Sequence, residues 1–225
     1  MGLLRELAEK NRPRKGCPGS SMLDMIDVYE QLFAARRMQV KTIVEIGVES
    51  GNSLRLWRDY FPNAQVWGLD RDAGAVHQQG ERIKVLVGGQ QNIPFLQDVC
   101  EKVGPIDIVI DDASKVIVWT LTSFRLLYPR VVEGGVYILE DSICTYDPKH
   151  YAHASPLGSQ DRAQFDFHLR THIWDIDHRT GLTGKLEIHP NMVVFHRRVT
   201  PVAQKAAPPI MQATSPGVLP GDPSK

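Results

Sequence analysis

The sequence predicts an α/β fold: a seven-stranded, mostly parallel sheet with helices on both faces and an antiparallel hairpin at its C-terminal end. Three observations lead there. Short apolar runs alternate with helix-spaced stretches from Thr42 to Leu139, and this βαβα rhythm builds a parallel sheet through right-handed crossovers. The runs are near-continuous rather than alternating, as expected of strands covered on both faces. Two further apolar runs near the C-terminus are separated only by His189-Pro190-Asn191, too short a link for a crossover, so they must pair antiparallel.

The elements follow in order. Residues 1–20 are polar and rich in Lys, Arg, Pro and Gly, which predicts a flexible segment. From Met22 to Arg37, Met22, Met25, Ile26, Tyr29, Leu32 and Phe33 recur at helical spacing and predict an amphipathic helix. Thr42–Gly47 is the first strand. Ser53–Tyr60 is a short helix with Ser53 as N-cap. Strands are expected at Gln65–Leu69, which ends at Asp70, at Ile83–Val87 and at Ile106–Ile110. Helices are expected at Ile93–Val103 and at Val116–Tyr128, the latter stopped by Pro129. Gly135–Leu139 is the fifth strand. Residues 142–161 read as a loop, Ala163–Ile176 as a helix, and Leu182–Ile188 and Met192–His196 as the hairpin strands. The last 25 residues hold six prolines, which predicts a disordered tail. The organisation is therefore one domain over 21–199 between a flexible start and a tail over 200–225.

Composition narrows the partners. Lys+Arg and Asp+Glu stand at 26 each, and a chain without a basic surplus is a poor candidate for nucleic acid, whose binding rests on phosphate neutralisation. No apolar run approaches a membrane span, and the start MGLLRELAEKNRPRKG lacks the pattern of a signal peptide. Three cysteines, Cys17, Cys100 and Cys144, are odd in number and far apart, which argues against a disulfide framework and fits a reducing cytoplasm. The expected partner is a small molecule, with no nucleic acid and no membrane. The apolar face of the Met22–Arg37 helix could cover the ligand cleft or pack on a second subunit, so a homo-oligomer stays open.

In an open parallel sheet the ligand lies outside the carboxyl ends of the strands, so the residues after each strand carry the information. After the first come Gly47-Val48-Glu49-Ser50-Gly51, small enough for a backbone to approach a ligand. After the second comes Asp70, an acceptor for ribose hydroxyls. After the third come Gly88-Gly89-Gln90-Gln91-Asn92, whose amides could read an adenine edge. After the fourth come Asp111 and Asp112, and after the fifth Glu140 and Asp141. Singly, these are equally turn glycines, helix caps and loop residues. Their recurrence after successive strands, in the order a nucleoside ligand requires, favours a site. Four carboxylates converging on one cleft would repel each other, and a hard cation such as Mg²⁺ would relieve that; exposed acids or caps are the alternative.

At these residues the chain resembles class I S-adenosylmethionine-dependent methyltransferases, over roughly residues 20–198. VEIGVESGNS is similar to their first motif and VWGLD to their second. FRLLYPRVVEGGVYILED resembles the segment up to their fifth strand, and LEIHPNMVVFHRR their closing hairpin. The resemblance is closer to the metal-dependent sugar O-methyltransferases of antibiotic biosynthesis, of the macrolide and rhamnosyl group, and to the related cephalosporin-hydroxylase-like proteins. Those carry EIGV…GNSLxxW, IDDGSH and ED; here stand Glu45-Ile46-Gly47-Val48, Gly51-Asn52-Ser53-Leu54-Arg55-Leu56-Trp57, Ile110-Asp111-Asp112-Ala113-Ser114-Lys115 and Glu140-Asp141. The resemblance implies a Rossmann-like sheet, S-adenosylmethionine as cofactor and O-methylation of a sugar hydroxyl. It implies Glu45, Gly47, Gly51, Ser53, Asp70, Gln90 and Asp111 as cofactor-binding residues, and Asp112, Glu140 and Asp141 as Mg²⁺ ligands. The loop's missing third glycine fits a ligand with no pyrophosphate to cradle.

One position departs. The group's DDGSH ends in histidine, which resembles its general base; here Lys115 stands instead. An ordinary lysine has a pKa of about 10.4 and is protonated at neutral pH. Lys115 is then a base with a depressed pKa, a cation for an acidic substrate, or the mark of lost catalysis. The substrate could correspondingly be an amine, a carboxylate or a phenol, or the domain could bind without turnover. A dinucleotide oxidoreductase is disfavoured because G-x-G-x-x-G is missing. His150, His153, His168 and His172 are the replacement bases on offer. His168 and His172 share a helix face at i,i+4, but no third metal ligand is evident, and they read as surface or substrate-side residues.

Overall fold

The computed structural model describes residues 2–13, 22–114, 116–142 and 159–200. Lys115, His150, His153, most of the expected 142–161 loop and the expected tail from 201 onward lie outside the described residues. The elements are α1 (Leu3–Asn11), α2 (Met22–Phe33), β1 (Thr42–Ile46), α3 (Asn52–Tyr60), β2 (Gln65–Asp70), β3 (Ile83–Val87), α4 (Ile93–Val103), β4 (Ile106–Asp111), α5 (Ile117–Leu127), β5 (Val131–Glu140), α6 (Ser159–Asp177), β6 (Thr183–His189) and β7 (Met192–Arg197).

One seven-stranded sheet runs β3-β2-β1-β4-β5-β7-β6. β1 to β5 are parallel, and β7 pairs antiparallel with both β5 and β6. The strand order reverses between β1 and β4, the usual place for a ligand. Side chains alternate across the sheet. On one face Ile43, Ile108, Ile138 and Val194 meet α1, α2 and α3 through Leu4, Ile26, Tyr29, Phe33 and Trp57. On the other, Val44, Val109, Tyr137 and Phe195 meet Leu96 of α4, Leu121 and Phe124 of α5 and Phe165 of α6. Both faces of the central strands β1, β4 and β5 are covered, which is why their paired segments are mostly apolar.

Four expectations need correction. Residues 3–11 are helical, not flexible. Leu4 and Ala8, one turn apart, are fully buried, Arg5 pairs with Asp27, and the Leu4 N–H donates to Glu30 Oε2 at 2.6 Å. Burying one leucine is worth about 1.5–3 kcal/mol, which helps hold this short polar helix against α2 and α3. Second, the helix from Met22 ends as α at Phe33 and continues as a 3₁₀ turn over Ala34–Arg36. Third, β5 begins at Val131 rather than Gly135, with a register irregularity opposite Ile106 and Ile108 where Gly134 takes φ 75°. Fourth, Ser53 is not the N-cap of α3: Gly51, at φ 70°, holds that position without a side-chain cap. Among the described residues no helix is long and apolar enough to cross a membrane.

Candidate active site

A cleft of about 890 Å³ opens at the carboxyl ends of the parallel strands. Of the candidate residues, Gly47, Ser53, Asp70, Gln90, Asp112 and Asp141 line it. Glu45, Gly51, Asp111 and Glu140 are not among its lining residues.

The β1–α3 loop is built by three left-handed residues, Gly47 at φ 98°, Glu49 at φ 46° and Gly51 at φ 70°. The Gly47 N–H donates to Leu69 O (2.8 Å) and the Asp112 N–H to Ile46 O (3.0 Å), so the loop starts locked to both neighbouring strands. A Cβ on Gly47 would sit 2.5 Å from Asp112 O. Asp70 closes the loop from β2: its Oδ2 accepts the N–H groups of Val48 (2.8 Å) and Glu49 (3.2 Å), and its Oδ1 that of Asp72 (2.9 Å). Two oxygens offer about four lone-pair sites, so a bound hydroxyl can still be accepted. Glu45 is fully buried and takes the Ser53 hydroxyl at 2.8 Å. It pins the first turn of α3, because strand alternation sends it to the α3 side with Ile43.

Asp111 and Gln90 are joined to each other. The Asp111 carboxylate is enclosed and accepts from Tyr137 Oη (2.6 Å), Ser123 Oγ (2.9 Å) and Gln90 Nε2 (3.1 Å). Burial pushes its pKa up to about 6, against the downward pull of those three donors. Gln90 Oε1 meanwhile accepts the Ser114 N–H at 2.9 Å. The amide of Gln90 therefore joins Asp111 to the loop after β4 while lining the cleft. Ser123 and Tyr137 were missed from the sequence; the available signal was a serine on the apolar side of α5 and a tyrosine inside an aliphatic strand.

The four acids separate by strand alternation. Asp111 turns into the α4/α5 layer and Glu140 toward α2, where Tyr29 donates to its Oε1; Glu140 is 4% exposed. Asp112 and Asp141 reach the cleft. Asp141 does so because it takes φ 57°, which breaks the strand and redirects its side chain, and Asn191 Nδ2 donates to its Oδ1 at 2.8 Å. Among the described residues no group of three His, Cys, Asp or Glu is arranged to hold a metal; of the expected Asp112, Glu140 and Asp141, the first and last line the cleft and Glu140 does not. Mg²⁺ is commonly bound by one or two carboxylates plus water and substrate oxygens, and the cleft pair fits that habit.

Trp119, in the first turn of α5, lines the cleft and went unnoticed in the sequence. His172 is buried and His168 half-buried, so neither is an exposed surface residue. They pack edge-to-face on Phe124 and on each other at 4.5–5.2 Å, and His172 Nδ1 lies 2.7 Å from Thr183 Oγ1. Burial lowers the pKa of both, that of His168 to about 3.

No protein-family model matches the sequence. Over 189 residues the chain is 33% identical to the 8-demethyl-8-alpha-L-rhamnosyl tetracenomycin-C 2'-O-methyltransferase of Streptomyces olivaceus, covering 76% of this chain and 49% of that protein. Over 135 residues it is 37% identical to the mycinamicin VI 2''-O-methyltransferase of Micromonospora griseorubida, covering 57% of this chain and 34% of that protein. The structure of MycE methyltransferase from the mycinamycin biosynthetic pathway, in complex with Mg and SAH, superposes with a TM-score of 0.74 at 28% identity, over 87% of this chain and 54% of that one. The fold is that of a class I methyltransferase. More narrowly, the homologues of this chain are sugar O-methyltransferases of antibiotic biosynthesis. The chain spans about half or less of the length of these relatives.

Proposed function

We propose that this chain transfers a methyl group from S-adenosylmethionine to a hydroxyl of a sugar carried by a small molecule, with help from a divalent cation. The observation that carries this is the sharing of one cleft by two unlike corners. The Gly47 loop and Asp70 form one, suited to an amino-acid and ribose end; Asp112 and Asp141 form the other, suited to hydroxyl oxygens and a hard cation. The kinship to sugar O-methyltransferases supports the acceptor class.

S-adenosylmethionine brings an activated methyl carbon, so the protein's task is alignment of the acceptor oxygen and removal of its proton. Oxygen–carbon bond formation, carbon–sulfur cleavage and loss of one proton give a methyl ether and S-adenosylhomocysteine. The Gly47 loop presents backbone at the cofactor corner, and Asp70 holds that loop in place. A cation on Asp112 and Asp141 would lower the pKa of a bound hydroxyl. Lys115, three residues after Asp112 in the sequence, is the proposed proton acceptor, a role that requires its free amine and hence a pKa depressed below the ordinary value of about 10.4. Mass spectrometry after incubation with S-adenosylmethionine, Mg²⁺ and a rhamnosylated polyketide should show addition of one methyl group, and EDTA should abolish it. Cofactor binding without methylation of any glycosylated acceptor would refute the proposal.

A further inference from the structure

We infer that Asn191, in the turn between β6 and β7, is a positioning residue for Asp141. This rests on the proposed function, because it concerns the acid pair of the same cleft. Asn191 is 8% exposed and takes φ 60°. Its Nδ2 donates to Asp141 Oδ1 at 2.8 Å, and its backbone oxygen accepts the Ser142 N–H at 3.4 Å. The next residue, Met192, is in register with Glu140. The hairpin turn is thus stitched to the end of β5 by strand pairing, one side-chain bond and one backbone bond, fifty positions away in sequence.

The chemistry of the donor matters. Asp141 leaves the strand in a left-handed conformation, one residue beyond the register that ends at Glu140. The buried amide of Asn191 fixes its Oδ1 there. An amide donor is neutral, so this bond orients the carboxylate without cancelling its charge. A lysine or arginine in the same place would compete for that charge. Partners of this kind, one bond removed from the metal, typically govern affinity about 10–100-fold. The bland reading is that asparagine stands here because it tolerates a left-handed turn. The two readings separate cleanly, since glycine adopts that turn at no cost but lacks the amide.

The test measures Mg²⁺ binding by calorimetry on S-adenosylhomocysteine-saturated protein, alongside thermal midpoint and S-adenosylhomocysteine affinity. Asn191→Gly should weaken Mg²⁺ about 10–100-fold and leave S-adenosylhomocysteine affinity at the wild-type value, with the thermal midpoint lowered by no more than the loss of one hydrogen bond to a carboxylate, about 1.5–3 kcal/mol. Asn191→Asp, close in shape and tolerant of the turn, faces Asp141 with a second acid and should retain S-adenosylhomocysteine affinity while altering Mg²⁺ affinity. Wild-type Mg²⁺ affinity in both variants would overturn the inference and leave the proposed function standing. Loss of stability and cofactor affinity in step with Mg²⁺ would also overturn it, showing a structural role. A wild-type protein that binds S-adenosylhomocysteine but no Mg²⁺ would remove the cation from the proposed function and this inference with it.

Discussion

Replacing Gly47 with alanine tests whether the β1–α3 loop is held by backbone contact or merely happens to be small. Two costs add. Gly47 sits at φ 98°, where a side chain is strained by about 1–3 kcal/mol. The new Cβ would lie 2.5 Å from Asp112 O and 3.1 Å from Ala113 Cα. Both are backbone atoms, so relief requires β1 and the loop after β4 to part, at about 1–3 kcal/mol for an overpacked site. The sum is about 2–6 kcal/mol, a large share of the 5–15 kcal/mol typical of a domain. Urea denaturation of Gly47→Ala should show the midpoint falling with an unchanged slope, and calorimetry should show weaker S-adenosylhomocysteine binding. A midpoint shift equivalent to less than about 0.5 kcal/mol, the range of an ordinary surface substitution, would refute the reasoning.

Two further expectations come from the same geometry. Asp70→Ala removes the acceptor for the Val48, Glu49 and Asp72 N–H groups, each bond to a charged acceptor being worth about 1.5–3 kcal/mol of loop stability, so the loop loses its anchor and S-adenosylhomocysteine should bind more weakly; unchanged affinity by calorimetry would remove Asp70 from the cofactor corner. His168 has a folded-state pKa near 3 against about 6.5 when unfolded. Below about pH 6.5 the unfolded chain takes up a proton that the folded one refuses, so its stabilising contribution is present above that value and is lost as pH falls, by at most about 1.4 kcal/mol per pH unit. Asp111, raised to about 6, works in the opposite sense, so the comparison must be with His168→Leu. From about pH 7 to pH 5 the urea midpoint of the wild type should drop more steeply than that of His168→Leu, and parallel slopes would rule out the buried neutral histidine.

Much of the architecture was legible because the cues are local. Apolar runs marked β1 to β5, and Pro129 and the His189-Pro190-Asn191 turn marked real boundaries. What misled was polarity averaged over a segment. Residues 3–11 look solvated by composition, yet Leu4 and Ala8 fall on one side of a turn and that side is buried. His168 and His172 look like a surface pair, yet α6 lays that side on Phe124 and Phe195. In each case the helix period was visible, but the partner surface came from residues far along the chain.

The site shows the same division. The sequence alone determined where acids and glycines would gather, because a parallel sheet delivers every strand end to one rim. Only the tertiary structure decided which of them face the cleft. Asp111 and Asp112 are neighbours, as are Glu140 and Asp141, and one of each pair points inward. The direction depends on strand alternation up to the last paired residue and on the conformation just beyond it. For Asp141 that conformation is held by Asn191, a residue that the chain brings to β5 only by folding back through β6 and β7.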